Sequence, residues 1–151
     1  MDVHDINTRS FNMSRIVSKN TSIELIVRKF LFSNGFRYRL HYNRIPGKPD
    51  LALIKHRIAI FVNGCYFHGH ENCKLATTSE TRKDFWMKKI SSNISRDKRN
   101  EDLLRKMNWT VFIIWECEIE PRKKYSLLRE KSLEELKSNI FNTIRNNDSC
   151  N

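Results

Sequence analysis

Two short apolar runs, IAIFV at 58–62 and VFIIW at 111–115, limit what this chain can fold into more than any other feature. Both are unbroken and rich in β-branched and aromatic side chains, the signature of strands covered on both faces. Between them a helical pattern extends from about 81 to 107, and another follows at about 133 to 144. Strand and helix alternate, so the expected class is α/β, with helices covering a mixed sheet.

The segment before the first run fits that plan. Thr21-Ser22-Ile23-Glu24 has the form of a capping box, and Ile23, Ile26, Val27, Phe30 and Leu31 follow at helical spacing. A helix over 21–34 is predicted, closed by Asn34-Gly35. Residues 36–42 and 50–54 read as two strands joined by the turn-prone Ile45-Pro46-Gly47-Lys48-Pro49, and Lys55-His56-Arg57 turns the chain into the first apolar run. A length of 151 residues provides one core, and 39% hydrophobic residues with 4 Gly and 3 Pro exclude a disordered or collagen-like chain. No apolar run approaches the roughly 20 residues of a membrane helix, and the opening MDVHDINTRS has no signal-peptide core, so a soluble intracellular protein is expected. With 28 Lys+Arg against 17 Asp+Glu, the net charge of +11 makes a phosphate polymer the first partner to consider.

The chemistry concentrates just past the first run. Cys65, His68, His70 and Cys73 put two thiols and two imidazoles within nine residues. Cys65, His70 and Cys73, closed by Cys117 at the end of the second run, match a tetrahedral Cys₃His zinc site with no open position; ordinary core cysteines and surface histidines are the alternative. His68 is left over, beside that loop and free for acid–base work. On the long helix, Trp86, Ile90, Ile94, Asp97 and Leu104 fall on one stripe, which turns Asp97 inward, where a carboxylate needs a partner or a metal. Asp50 and Glu24 have local explanations, a strand end and a helix cap. Together with Asp97 and His68 they could instead converge at one end of the sheet as oxygen ligands for Mg²⁺ and a base for water. Tyr66, Phe67, Phe85 and Trp86 are interleaved with Arg82, Lys83, Lys88 and Lys89, a composition suited either to core packing or to a wedge between base pairs.

Six ordered blocks then carry a family resemblance: Arg9-Ser10-x-Asn12-Met13, Thr21-x-x-Glu24, Pro46-Gly47-x-Pro49-Asp50, Phe61-Val62-x-Gly64-Cys65-x-x-His68-Gly69, Phe85-Trp86-x-x-Lys89-Ile90-x-x-Asn93-x-x-Arg96-Asp97 and Trp115-Glu116-Cys117. Over about residues 9–117 the chain resembles the DNA mismatch endonuclease Vsr family of very short patch repair. The resemblance implies a restriction-endonuclease-like fold, a variant of the PD-(D/E)xK superfamily whose second acidic residue and Lys are absent here. It also implies Mg²⁺-dependent nicking of duplex DNA 5′ to the T of a T:G mismatch left by 5-methylcytosine deamination. In that reading Asp50 is the side-chain metal ligand and Val62 gives its carbonyl oxygen. His68 is the catalytic histidine, Glu24 and Asp97 hold water at the metal, and Cys65, His70, Cys73 and Cys117 hold structural zinc. Tyr66, Phe67 and Trp86 form the aromatic wedge, with Met13 entering from the minor groove.

The implied division is a DNA-contacting arm over 1–20, one catalytic domain over 21–145 and a polar tail over 146–151, acting as a cytoplasmic monomer alongside mismatch-repair proteins. Three departures stand out. Phe67 replaces the usual Trp, Asn63 replaces a common Asp or His, and His70 and Cys73 are interchanged relative to many members. Two rival readings are a zinc-braced DNA-binding module without catalysis and a nuclease of the same fold with another DNA target.

Overall fold

A computed structural model describes residues 21–77 and 80–150. The arm over 1–20, including Met13, lies outside the described residues. Helix α1 spans Ser22–Ser33, capped at Thr21, whose Oγ1 accepts from the Glu24 N–H at 3.3 Å. It stops at Asn34, and Gly35 follows with a left-handed φ of +89°. Strand β1 is only Arg39–Leu40, shorter than the 36–42 predicted. Phe36 is drawn into the core, and His41 turns to a φ of +47°, so both flanks leave the extended ladder. Strand β2 covers Leu51–Leu53, and a 3₁₀ turn over Ile54–His56, with Arg57 left-handed, reverses the chain into β3, Ile58–Asn63.

Helix α2 runs Lys83–Lys106, β4 Thr110–Trp115, α3 Glu116–Ile119 and α4 Leu127–Ser149. The sheet order is β1-β2-β3-β4, antiparallel except for the parallel β3–β4 pair, which is in register from Ile58 opposite Thr110 to Asn63 opposite Trp115. The mixed α/β class is as expected. Helix α4 starts earlier and ends later than its apolar pattern, because only Leu133, Leu136 and Ile140 are buried while Ser126 caps the start, its Oγ accepting from the Arg129 N–H at 3.1 Å. The one-turn α3 is too short to leave a periodic trace.

The two faces of the sheet are filled unequally. On one, Ile58, Ile60 and Ile114 pack with Ile23, Val27 and Leu31 of α1 and with Leu133, Leu136 and Ile140 of α4. On the other, the buried cluster is Ile45, Ala59, Leu104 and Val111, with Tyr42, Phe61, Trp109 and Ile113 partly covered around it. Expected full cover on both sides therefore holds for residues 58–60 and for Val111 and Ile114, and fails at Phe61, Val62, Phe112, Ile113 and Trp115. At Phe61 and Ile113 the reason lies in α2: Leu104 is its one buried residue, and the half-buried positions are Trp86, Ile90, Asn93, Asp97, Asn100 and Glu101. Ile94 is off that stripe and packs on the loop at Gly69 instead, where a Cβ on the glycine would meet Ile94 Cδ1 at 2.5 Å. No described helix is long and apolar enough to cross a membrane.

Candidate active site and metal cluster

Where β3 ends, the chain coils tightly. The N–H groups of His68, Gly69 and His70 donate to the carbonyls of Gly64, Tyr66 and Cys65 at 3.3, 3.3 and 3.0 Å, and Gly69 takes the left-handed φ of +60° that this coil requires. Asn93 on α2 fixes the loop from outside, Nδ2 donating to the Phe67 carbonyl at 2.9 Å. The coil brings Cys65, His70 and Cys73 together, and the parallel register of β4 with β3 delivers Cys117 beside them. One ligand atom from each of the four lies within 4.8 Å of the others.

His70 Nδ1 stands 3.5 Å from Cys65 Sγ and 3.4 Å from Cys117 Sγ, and its ring stacks on Trp115 at 4.1 Å and 7°. Glu116 Oε2 accepts from the Cys65 N–H at 3.3 Å. With only protein around it, burial pushes the Cys65 thiol up to about 12, so a buried thiolate here calls for a cation. Three sulfurs and one imidazole at these separations fit a tetrahedral ion with no vacancy.

At Val62, near the end of β3, oxygen donors gather. Asp50, immediately before β2, accepts the Val62 N–H on Oδ2 at 2.7 Å, which ties its carboxylate to the neighbouring strand. Burial drives the Asp50 carboxyl up to about 7, against the pull of that N–H, and the adjacent Glu24 pushes it the same way. Glu24 is only 2% exposed, and its Oε2 is 3.5 Å from His41 Nε2. Donor atoms of Glu24, His41 and Asp50 all lie within 4.8 Å of one another. Such a group of crowded carboxylates, one of them strongly raised, suits a divalent cation by chemistry as well as by spacing.

From α2, Asp97 Oδ2 meets His68 Nδ1 at 2.6 Å and Asp97 Oδ1 meets Arg96 Nη2 at 3.1 Å. Burial alone would raise Asp97, but the His68 contact and the Arg96 charge outweigh it and hold the carboxyl below its ordinary range. An ionised Asp97 only accepts, so His68 donates to it from Nδ1. Asp50, Val62, His68 and Asp97 border a cavity of about 450 Å³, floored by Phe61, Val111 and Ile113 and flanked by Lys48 and Arg96. It occupies the space left by the polar stripe of α2.

The aromatic residues form a second border. Tyr66, Phe67 and Trp86 meet edge to face with centroids 5.3, 5.7 and 6.1 Å apart, and Phe85 continues the group from Trp86 at 5.2 Å. Arg82 lies over Phe85 at 4.3 Å and Lys89 over Trp86 at 5.4 Å. Thus Asp50, Val62, His68 and Asp97 border one cavity, Glu24 stands beside Asp50 outside its lining, and the four thiol and imidazole ligands form their own group. Sequence reasoning missed His41, whose only signal is one histidine near the end of the strand pattern over 36–42. It also gave no role to Asn93 and Arg96, which sit in motifs without chemistry of their own.

An α/β domain with an acid-and-histidine site at the end of its central strands, beside a thiol cluster, has the groups a nuclease uses, and its relatives make it an endonuclease. The family model for DNA mismatch endonuclease Vsr matches residues 1–75. The type II nicking enzyme V.NmeAIP of Neisseria meningitidis is 42% identical over 130 residues, covering 86% of this chain and 90% of the relative. The DNA mismatch endonuclease Vsr of Escherichia coli is 39% identical over 123 residues, covering 82% and 78%. The type II nicking enzyme V.XorIIP of Xanthomonas oryzae is 40% identical over 111 residues, covering 74% and 81%. The chain belongs to the DNA mismatch endonuclease Vsr family.

Proposed function

We propose that the protein nicks one strand of duplex DNA 5′ to the T of a T:G mismatch, with Mg²⁺ at Asp50 and zinc in the Cys65–His70–Cys73–Cys117 cluster. The observation that carries this reading is the convergence of Asp50 and the His68–Asp97 pair on one cavity beside the aromatic group. Phosphodiester hydrolysis needs a deprotonated water in line with the leaving oxygen and a cation against the charge building on the phosphate. Mg²⁺ supplies that cation when bound, and Asp50, with the Val62 carbonyl, holds it.

His68 takes the water's proton on Nε2, and Asp97 keeps the imidazole in the tautomer that allows it, besides the water-holding role that the resemblance gives it together with Glu24. Lys48 and Arg96 at the cavity border receive phosphate oxygens. Tyr66, Phe67 and Trp86 pry the stack at the mispair, where unstacking costs least, and Met13 enters from the minor groove on the 1–20 arm. The protein acts as a monomer in the bacterial cytoplasm, on lesions that also engage mismatch-repair proteins.

The test is to incubate it with Mg²⁺ and end-labelled duplexes that carry T:G, its matched pairs or other mismatches in randomised sequence contexts. A nick confined to the T strand of T:G duplexes is expected. Equal cutting of matched duplexes would replace this reading with a nuclease of another target, and binding without cutting would replace it with a DNA-binding module.

A further inference from the structure

His41 lies outside the machinery just described, and its placement is specific. Its backbone is left-handed at φ +47°, an uncommon state for a residue with a Cβ, and its N–H donates to the Asp50 carbonyl at 3.0 Å. That turn at the end of β1 directs the ring toward α1, where Nε2 stops 3.5 Å from Glu24 Oε2. Nε2 is shut off from solvent and has no hydrogen-bond partner. A buried imidazole nitrogen at ion-pair distance from a carboxylate but hydrogen-bonded to nothing is costly in the protein alone and well placed once a cation stands between them. The donor atoms of Glu24, His41 and Asp50 are within 4.8 Å of one another, and the 3.5 Å between His41 Nε2 and Glu24 Oε2 is a separation that one ion can bridge.

Oxygen-only sites suit Mg²⁺, whereas an imidazole donor shifts affinity toward first-row transition ions. We propose that Glu24, His41 and Asp50 form a divalent-cation site of mixed nitrogen and oxygen character that takes ions of the Mn²⁺ class in preference to Mg²⁺. Asp50 also borders the cavity while Glu24 and His41 do not, so Asp50 links this site to the reaction. The proposal rests on the reading of Asp50 as a metal ligand.

The experiment uses the full chain, zinc-replete so that the thiol cluster is occupied, with no DNA and with Mn²⁺ as the probe. Binding is read from loss of the free-ion EPR signal, and nitrogen coordination from ¹⁴N modulation in pulsed EPR. About one Mn²⁺ per chain with ¹⁴N coupling is expected. His41→Asn is the variant of choice because Asn tolerates the left-handed backbone. It should abolish the coupling and weaken Mn²⁺ roughly tenfold or more, with Mg²⁺ affinity, read by competition, changed less than about threefold.

A wild-type protein that binds no Mn²⁺, or binds it without ¹⁴N coupling, overturns the proposal without recourse to any variant. Coupling that survives in His41→Asn, or equal losses for both ions, overturns it too, the latter assigning His41 a purely positional role. Asp50→Ala should lose both ions, and retention of Mn²⁺ there would remove the shared premise. Nicking of T:G duplexes in Mg²⁺ is scored separately: its absence beside an intact ¹⁴N signature defeats the proposed function and leaves this site standing.

Discussion

Two clusters of possible ligands stand near the end of β3, and they differ in almost every respect. The Cys65–His70–Cys73–Cys117 group is soft, complete at four donors and enclosed by the coil after β3. The Glu24–His41–Asp50 group is dominated by oxygen and opens through Asp50 onto the cavity. The first is built from a contiguous loop plus one distant cysteine, the second from three separate elements. The contrast teaches that one sheet end can keep a donor set complete in itself beside one that is left open. They are kept apart by donor type as much as by distance.

The sharpest way to break the contrast is to delete one donor from each side. Asp50→Ala should remove nicking altogether while metal analysis still finds about one zinc per chain. Loss of zinc in that variant would show that the two clusters are a single cooperative unit. Cys117→Ser should do the reverse, lowering the melting temperature and releasing the cluster ion, with a cost of several kcal/mol because ligand binding there is folding free energy. Thermal stability indifferent to Cys117 and to chelation would make the thiol group no brace at all.

Within the open site, His68→Ala should slow single-turnover nicking about 10²-fold or more, and Asp97→Asn less, with mismatch binding intact in both. Next in size, Phe67→Ala should narrow the preference for T:G over T:A duplexes more than it weakens binding to matched DNA, and Phe67→Trp should widen it. Parallel losses on both duplexes would mark the three rings as packing only.

The smallest effect is on stability and pH. Asp50 is raised from 3.8 to about 7 in the metal-free fold, so the folded state holds its proton longer than the unfolded chain. This group's contribution is therefore fully present below pH 3.8 and is lost as pH rises through about 7. Asp50→Asn should consequently raise the melting temperature of chelator-treated protein at pH 8 relative to wild type and leave it nearly unchanged at pH 4, as scanning calorimetry would record. Added Mg²⁺ should stabilise wild type and not the variant.

What the sequence disclosed follows the same division. The thiol group was legible because three of its ligands sit within nine residues and sulfur at that spacing has few other uses. The strands at 58–62 and 111–115 and helix α1 were legible from unbroken or periodic apolar patterns. Asp97 was expected inward from helical spacing alone, and it does sit on the half-buried stripe, although Ile94 does not. Trp86, Ile90 and Leu104 marked that stripe, but its polar members Asn93 and Asn100 left no apolar trace. The pairing of His68 with Asp97 and the approach of His41 to Glu24 were not readable. They depend on where a coil and a left-handed residue point their rings, which is set by tertiary contacts.

The parallel pairing of β3 with β4 has a kinetic consequence. Cys65 and Cys117, whose Sγ and N–H meet at 3.4 Å, are 52 residues apart, and no ladder bond between their strands can form until that long crossover has closed. Cys117, the fourth ligand, thus joins the other three only after the sheet has zipped, late on the folding path. A cation there acts on the exit from the native state rather than the entry to it: it slows unfolding and leaves the search for the fold unhurried.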